Sequence, residues 1–362
     1  MADSEDRETP APDAAKPATI EDVARIAGVS IATVSRAVHA PDKVAESTRR
    51  KVHAAIARTG YTTNVMARNL RMKRSRMVLV LAPSIGDPNF PGILIGLEKA
   101  AAARDYAVLI GNTDGDSGLE ETYLRFLSTG QADGLILLTG HLPVAGWGMS
   151  PARHFPPMVT VSRPLNDPGV PHVGVDDAAA ARVATEYLLA QGHRQIAHVR
   201  GPEGDIQSER REAGFRAAIA AHHATAAADP WVLAGDGTSE SGRAAVERLF
   251  IRDTLPTAFF CYNDDTAIGV MAALSARGHD VPGRFSVVGF DDIPFASNTS
   301  PALTTIRQPR RQIGERAMGL LLDRLEAPSA PQDATAVLMH GDLVIRDSAL
   351  PPDSPSPGQK NA

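Results

Sequence analysis

The sequence predicts an α/β protein in which a small all-α N-terminal domain precedes a doubly wound α/β body with two lobes. Between residues 77 and 346, short β-like apolar runs alternate with amphipathic helical segments, as in parallel sheets covered by helices. This region has about 270 residues, which is long for one such domain, so we expect two lobes. Because ligands of open α/β sheets bind beyond the carboxyl ends of the strands, two facing lobes predict a cleft between them.

The predicted elements follow one another along the body. The predicted strands are Met77–Ala82, Tyr106–Gly111, Gly134–Leu138, Met158–Val161, Ile196–Val199, Ala258–Tyr262 and Phe285–Phe290. The predicted helices lie near residues 91–103, 118–129, 177–191, 209–222, 239–250, 264–277 and 310–325. Residues 1–18 and 347–362, the latter ending in PPDSPSPGQKNA, lack apolar periodicity and are predicted to be disordered tails.

Composition excludes several classes of protein. Of the 362 residues, 43% are hydrophobic and 22% are charged, as in soluble globular proteins. No apolar run approaches the roughly 18 to 20 residues of a membrane span, and the acidic N-terminus does not resemble a signal peptide. We therefore expect a cytoplasmic protein without membrane contact. The single cysteine, Cys261, excludes an internal disulfide and a cysteine-clustered metal site, and we expect neither a metal nor a cofactor.

The net charge of −5 conceals an asymmetry along the chain. Residues 1–18 carry −3, residues 19–76 carry +8, and residues 77–362 carry −10. A small basic block ahead of an acidic body suggests a unit that binds a polyanion. A solvated, lysine- and arginine-rich helical face would give the same charge, so charge alone leaves both interpretations open.

The basic block has the pattern of three short helices. Gly28 stands where the first helix ends in a left-handed residue, and Ser30 can cap a second helix over Ile31–Val38. A third helix is predicted over Thr48–Arg58 with Ser47 as its cap. Two helices joined by a glycine turn form a helix-turn-helix, whose second helix can enter the major groove of DNA.

Short sequence motifs stand in both the basic block and the body. In the block they are Ala27-Gly28-Val29-Ser30, Ala32-Thr33-Val34-Ser35-Arg36, Thr48-Arg49 and Gly60-Tyr61. In the body they are Gly201-Pro202, Arg211-Glu212-Ala213-Gly214-Phe215, Asn263-Asp264, Val287–Asp292 and Pro301–Ile306. In order and spacing the chain resembles the lac/galactose repressor (LacI/GalR) family of bacterial transcription regulators over residues 19–346.

The resemblance implies a division into domains. It implies a DNA-binding domain over residues 19–61 and a linker with a hinge helix over residues 62–76. A two-lobed body like the periplasmic sugar-binding proteins would then occupy residues 77–346, bind an effector and dimerise. No heptad repeat that could join dimers follows residue 346, so we expect a homodimer on a palindromic DNA operator.

The resemblance also assigns the DNA contacts. Ile31, Ala32 and Arg36 match base-contacting positions, and a guanidinium can bond the O6 and N7 edge of a guanine. Thr33 and Ser35 would donate to phosphates, although they could also be simple exposed hydroxyls.

In the linker, Asn64 can cap a short helix that contains Arg68 and Leu70. In the family this helix orders on DNA and inserts a leucine into the minor groove, and Leu70 matches that residue. A leucine packed beneath the linker is the alternative. Thr63 stands where members commonly have proline.

Five residues of the body match effector-binding positions of the family: Asn89, Phe90, Arg211, Asn263 and Asp291. Carboxylates and guanidinium groups suit the hydroxyls of a sugar, the former accepting and the latter donating hydrogen bonds. A loop cap for Asp291, a surface ion pair for Arg211 and a helix cap for Asn263 are the structural alternatives.

Ile313 matches a further pocket-lining position of the family. Two departures bear on the ligand. Gly237 stands where several members have an aromatic residue, and Ser162 replaces a common aspartate. A sugar or sugar derivative remains the expected effector.

These observations predict a DNA-binding transcription regulator, in most members of the family a repressor, that responds to a small molecule. A solute-binding transport receptor would need a signal peptide and leaves the basic block unexplained. A sugar-acting enzyme with an accessory DNA-binding head would need paired catalytic groups. The chain has no glycine-rich dinucleotide motif, P-loop or HExxH motif, so we expect no enzymatic activity.

Overall fold

The computed structural model describes residues 18–61, 74–142, 156–165, 169–222, 231–327 and 336–352. Contacts divide the chain into two compact units, residues 1–73 and residues 74–362. Within the described ranges, no helix combines the length and the apolar character that crossing a membrane requires.

The N-terminal unit contains helices α1 (Ile20–Ala27), α2 (Ile31–His39) and α3 (Glu46–Thr59). Gly28 ends α1 at φ +65°, and the Ser30 hydroxyl caps α2 by accepting from the Thr33 amide. The three helices enclose a small core that includes Val23, Val34 and Val52, none of which is exposed.

The start of α3 differs from its prediction, because Ser47 lies inside the first turn and does not cap the helix. The Ala45 carbonyl accepts hydrogen bonds from the Thr48 and Arg49 amides, so the helical hydrogen bonds begin two residues earlier than predicted. Glu46 then lies in the first turn, where a negative charge is favourable.

Twelve strands are present in the described part of the body. They are β1 (Met77–Ala82), β2 (Ala107–Asn112), β3 (Gly134–Leu137), β4 (Met158–Val161), β5 (His172–Val175), β6 (Ile196–Val199), β7 (Trp231–Leu233), β8 (Ala258–Cys261), β9 (Ser286–Val288), β10 (Thr305–Arg307), β11 (Ala336–Met339) and β12 (Asp342–Val344). The first sheet has the order β11-β5-β4-β3-β1-β2 and the second β7-β6-β8-β9, and all neighbouring strands in both are parallel. Strands β10 and β12 form an antiparallel pair.

Helices cover both sheets, which gives the predicted doubly wound architecture. They are α4 (Phe90–Ala102), α5 (Ser117–Ser128), α6 (Asp177–Ala190), α7 (Ile206–His222), α8 (Ser239–Leu249), α9 (Asp264–Ala276) and α10 (Arg310–Glu326). Strands β3, β4, β6 and β8 are buried at every residue, as expected for strands covered on both faces. The predicted fold class is confirmed.

The chain passes between the two sheets three times. It leaves the first sheet between β5 and α6, returns between β10 and α10, and leaves again between β11 and β12. The Asp176 amide donates to the Met339 carbonyl at 3.0 Å and joins two of these crossings. Such crossings are suited to hinge motion, since a few residues at the ends of elements can absorb changes in backbone angle.

Helices α4 and α10 pack together through glycines. A Cβ at Gly96 would lie 2.1 Å from the Arg311 carbonyl oxygen, and one at Gly314 would lie 2.1 Å from that of Ile93. The two backbones therefore approach more closely than any side chain would allow. This contact attaches the late helix α10 to the first lobe.

The C-terminal boundary of the body lies later than predicted. Residues 347–350 belong to the predicted disordered tail, but Ser348 has no exposed surface. Its hydroxyl donates to the Val287 carbonyl at 2.6 Å and accepts from the Thr304 amide at 2.8 Å. The polar composition of this segment favoured a disordered tail. In the fold, however, the segment satisfies backbone hydrogen-bonding groups at the edge of β9.

Candidate effector cavity and DNA-facing helix

A cavity of about 450 Å³ lies between the two sheets. Its walls include residues that follow strands directly: Pro83 after β1, Ser162 after β4, Tyr262 after β8 and Gln308 after β10. The expected cleft at the carboxyl ends of the strands is therefore present.

Arg211, on α7, forms the centre of a buried ionic network. Its Nε donates to Asp177 Oδ1 at 2.8 Å, its Nη1 donates to the Tyr262 carbonyl at 2.7 Å, and Nη1 lies 3.8 Å from Asp291 Oδ1. The guanidinium also lies 3.7 Å from the centre of the Phe290 ring. Burial disfavours the charge, but the two carboxylates raise the pKa of Arg211 above its ordinary value. Because the Arg211 side chain is only 3% exposed, the surface-ion-pair alternative is wrong.

Asp291 lies in a strained turn that follows β9. Asp291 has φ +113° and Asp292 has φ +55°, both in the region that side chains rarely adopt. The Asp291 carboxylate accepts from Gln308 Nε2 and lines the cavity. Burial raises the pKa of Asp291 to about 6, against the lowering effects of Arg211 and of hydrogen bonds from Asn89 and Gln308. Among the described residues, no backbone amide donates to this carboxylate, so it does not act as a loop cap.

Asn89 and Phe90 lie where the loop after β1 enters α4. The Asn89 Oδ1 accepts from Arg310 Nη1 at 3.1 Å, and Phe90 is buried with its side chain on the cavity wall. Ile313, which was expected to line the pocket, has no exposed surface and packs in the core beneath it. That expectation is wrong because the close α4–α10 contact places Ile313 inside the helix interface.

Asn263 caps a helix and also lies at the cavity edge. Its Oδ1 accepts from the Thr266 amide at 2.9 Å and caps α9, while its Nδ2 donates to the Gly237 carbonyl at 2.8 Å at the cavity edge. Gly237 has φ +89°, and a Cβ there would lie 3.2 Å from the Tyr262 ring. Several members of the family have an aromatic residue at the position of Gly237, and here the Tyr262 ring lies beside this glycine.

An ion pair that sequence reasoning missed connects the two lobes. Arg163 follows β4 of the first sheet, and its Nε lies 2.8 Å from Asp205 Oδ2 in the second lobe. Ser162, just before it, has φ +63°. Arg163 could have been found by asking which charged residues directly follow a predicted strand, since those residues face the cleft.

The exposed face of α2 carries the residues that were matched to base contacts. Ile31 is 45% exposed, Ala32 and Arg36 are exposed, and Arg36 forms no ion pair with a described residue. The Thr33 hydroxyl lies 2.9 Å from that of Ser30 within the cap of the helix, and Ser35 is half-buried. The three linker residues Asn64, Arg68 and Leu70 lie outside the described residues.

A helix-turn-helix unit joined to a body with a ligand cavity between parallel sheets defines a ligand-responsive DNA-binding regulator. The profile of the lacI family of bacterial regulatory proteins matches residues 19–64, and that of the periplasmic binding protein-like domain matches residues 185–349. The chain is 39% identical over 337 residues to the HTH-type transcriptional repressor CytR of Escherichia coli K12, covering 92% of this chain and 97% of that protein.

Solved structures agree with this assignment. The lac repressor dimer bound to operator and the anti-inducer ONPF matches with a TM-score of 0.78 and 27% identity, over 92% of this chain and 100% of that one. The regulator CelR in complex with cellobiose matches with a TM-score of 0.67 and 29% identity, over 91% and 99%. The chain belongs to the lacI family of bacterial regulatory proteins. It is a transcription regulator and not an enzyme, as the sequence predicted.

Proposed function

We propose that this protein is a transcriptional repressor that binds a palindromic operator as a homodimer and is controlled by a sugar or sugar derivative in the cavity. CytR is a repressor, CelR was solved with cellobiose, and the lac repressor was solved as a dimer on its operator. A regulator of chromosomal DNA in a bacterium acts in the cytoplasm, so we propose that location as well.

The observation that carries the ligand proposal is the convergence of Arg211, Asp291 and Asn89 on one cavity beside the apolar Phe90. The Asp291 carboxylate accepts hydrogen bonds, the Asn89 amide can donate and accept them, and the Phe90 ring is apolar. Together these groups complement a hydroxylated ring. The volume of about 450 Å³ is within the range of small-molecule sites.

For DNA, we propose that Ile31, Ala32 and Arg36 contact base edges, while Thr33 and Ser35 contact phosphates. Asn64, Arg68 and Leu70 are proposed to contact DNA from the hinge helix. The first assignment is supported by the exposed Arg36 guanidinium, which forms no ion pair with a described residue, and by the exposed apolar start of α2.

We propose that the two binding events are linked through the closure angle of the lobes. Effector binding would change that angle through the three crossings and so move the start of the linker. The new position of the linkers would then favour or disfavour pairing of the two protomers' hinge helices over the minor groove. Effector and operator must change each other's affinity by the same factor, because the coupling free energy is shared.

The test uses the full chain with a fluorescent palindromic duplex. Binding is measured by anisotropy over a range of salt concentrations, with sugars and nucleobases added as candidate effectors. We expect the affinity to fall steeply with salt because phosphate contacts release counterions, and one ligand to change the operator affinity. A protein that binds sugars but no duplex at low salt would instead be a solute receptor.

A further inference from the structure

The charges on the cavity wall point to the chemical class of the effector, an inference that rests on the function proposed above. Two guanidinium groups, Arg163 and Arg211, are the basic side chains among the described lining residues. Both are already neutralised, Arg163 by Asp205 at 2.8 Å and Arg211 by Asp177 at 2.8 Å. Arg310, near the cavity edge, donates instead to Asn89 and to the carbonyls of Asp291 and Asp292.

Three carboxylates on the same wall have no ion-pair partner among the described residues, although Asp87 accepts from the Asn89 amide at 2.8 Å. Asp87, Asp236 and Asp265 line the cavity, and none forms an ion pair with a described Lys, Arg or His. Asp236 accepts from the Thr238 amide and hydroxyl at 2.9 and 2.6 Å, which lowers its pKa and keeps it charged. Asp291, which lies 3.8 Å from Arg211 Nη1, is the fourth carboxylate on the cavity wall.

Two of these carboxylates come from opposite lobes. Asp87 lies in the loop after β1 of the first sheet, while Asp265 lies in the first turn of α9 after β8 of the second sheet. Both are half-buried. Because both carboxylates line one cavity from opposite lobes, their charges repel each other. Burial and this repulsion raise the pKa of Asp265. A positive group between them would remove this repulsion and contact both lobes.

We propose that the effector is a hydroxylated small molecule with a protonated amino group, such as an amino sugar, which lies between Asp87 and Asp265. Its hydroxyls bond Asp291 and Asn89. Phosphorylated and carboxylated molecules are excluded, because the cavity offers them two neutralised guanidinium groups and four carboxylates.

The test compares sets of related molecules in which one group carries a positive charge, no charge or a negative charge. One set is glucosamine, glucose and glucose 6-phosphate, and a second is galactosamine, galactose and galactose 6-phosphate. A third pair is tris(hydroxymethyl)aminomethane and the neutral tris(hydroxymethyl)ethane. Binding to the full chain is measured at pH 7 by ligand-observed NMR and calorimetry, and operator affinity is measured in parallel.

We expect the amine of at least one set to bind about tenfold or more tightly than its neutral partner, and the phosphorylated members not to bind. The double variant Asp87→Asn/Asp265→Asn should lose this preference for the amine. Asp105→Asn is the matched control and should keep it, because Asp105 is 86% exposed and lies just before β2, at the amino ends of the strands.

The outcomes separate the two proposals. If no amine binds more tightly than its neutral partner, or a phosphorylated sugar binds in an Asp291-dependent manner, the ligand class is wrong. If that phosphorylated sugar also changes operator affinity, the proposed function still stands. If an amine binds as expected but operator affinity does not change, the ligand class stands and the proposed function fails.

Discussion

Arg211 Nε donates to Asp177 Oδ1 at 2.8 Å, and neither side chain is more than 3% exposed. The pair joins the first turn of α6 to α7, and Arg211 lines the cavity. Burial raises the pKa of Asp177, against the effect of Arg211. Breaking a buried ion pair is costly, because removal of one partner leaves the other charge buried and without a compensating charge.

Replacement of Arg211 should therefore destabilise the body. We expect Arg211→Met to lower the free energy of unfolding by about 3–5 kcal/mol, as measured by urea denaturation of the full chain. Arg216→Met is the control on the same helix, because Arg216 is 43% exposed and pairs with Glu212. Its effect should stay below about 1 kcal/mol. Equal losses in both variants would contradict the buried role of Arg211.

Asp291 should make stability depend on pH in a defined window. Its pKa of about 6 lies above the ordinary value of 3.8, so the folded protein holds the proton more tightly than the unfolded chain. The contribution of Asp291 to the free energy of unfolding is complete below about pH 4 and is lost as the pH rises through about 6. This contribution is at most about 3 kcal/mol. Denaturation of wild type and Asp291→Asn across this range isolates the effect, and a constant difference between them would refute it.

The close contact of α4 and α10 predicts opposite effects for two glycines of one helix. Gly314→Ala would place a Cβ 2.1 Å from the Ile93 carbonyl, so the helices must move apart, and we expect a loss of about 1–3 kcal/mol or more. Gly319 on the same helix has no atom within 4 Å of such a Cβ. Gly319→Ala should stabilise by up to about 1 kcal/mol. Thermal unfolding of both variants checks the prediction, which fails if both change in the same direction.

Arg36 should determine preference at one base pair of the operator. We expect Arg36→Ala to weaken operator binding by about 1–3 kcal/mol and to relax discrimination at the contacted position. Arg50→Ala serves as control, since Arg50 is 76% exposed on α3 and pairs with Glu46. Binding to a set of duplexes that differ at single positions distinguishes the two. An unchanged base preference in Arg36→Ala would remove Arg36 from the base contacts.

Leu70, which lies outside the described residues, remains the predicted minor-groove wedge. Leu70→Ala should lower operator affinity, because the bent duplex loses the contact that offsets unstacking. Effector affinity, measured by calorimetry without DNA, should remain nearly unchanged. A normal operator dissociation constant in this variant would show that Leu70 packs elsewhere.

Local patterns predicted much of this fold correctly. Strands β1, β4 and β6 match their predicted limits, and the helices of the body match within about three residues. The short strands β5, β7, β10, β11 and β12 were missed. All five have three or four residues, which is too short to show a periodicity, and their partners in the sheet stabilise them.

The site divides in the same way. The resemblance selected Asn89, Phe90, Arg211, Asn263 and Asp291, and all five line the cavity. The Arg163–Asp205 pair was not selected, nor were Asp87 and Asp265, which form no ion pair with a described residue. The role of these residues depends on which charges stand opposite them in the fold.

By itself, the sequence determined the class of fold, the helix-turn-helix and the family, since these depend on spacing and caps within a few residues. Only the tertiary structure decided which side chains meet across the cavity, why Gly314 must be glycine and that the body includes Ser348. These features depend on contacts between segments far apart in the chain, and no local pattern contains them.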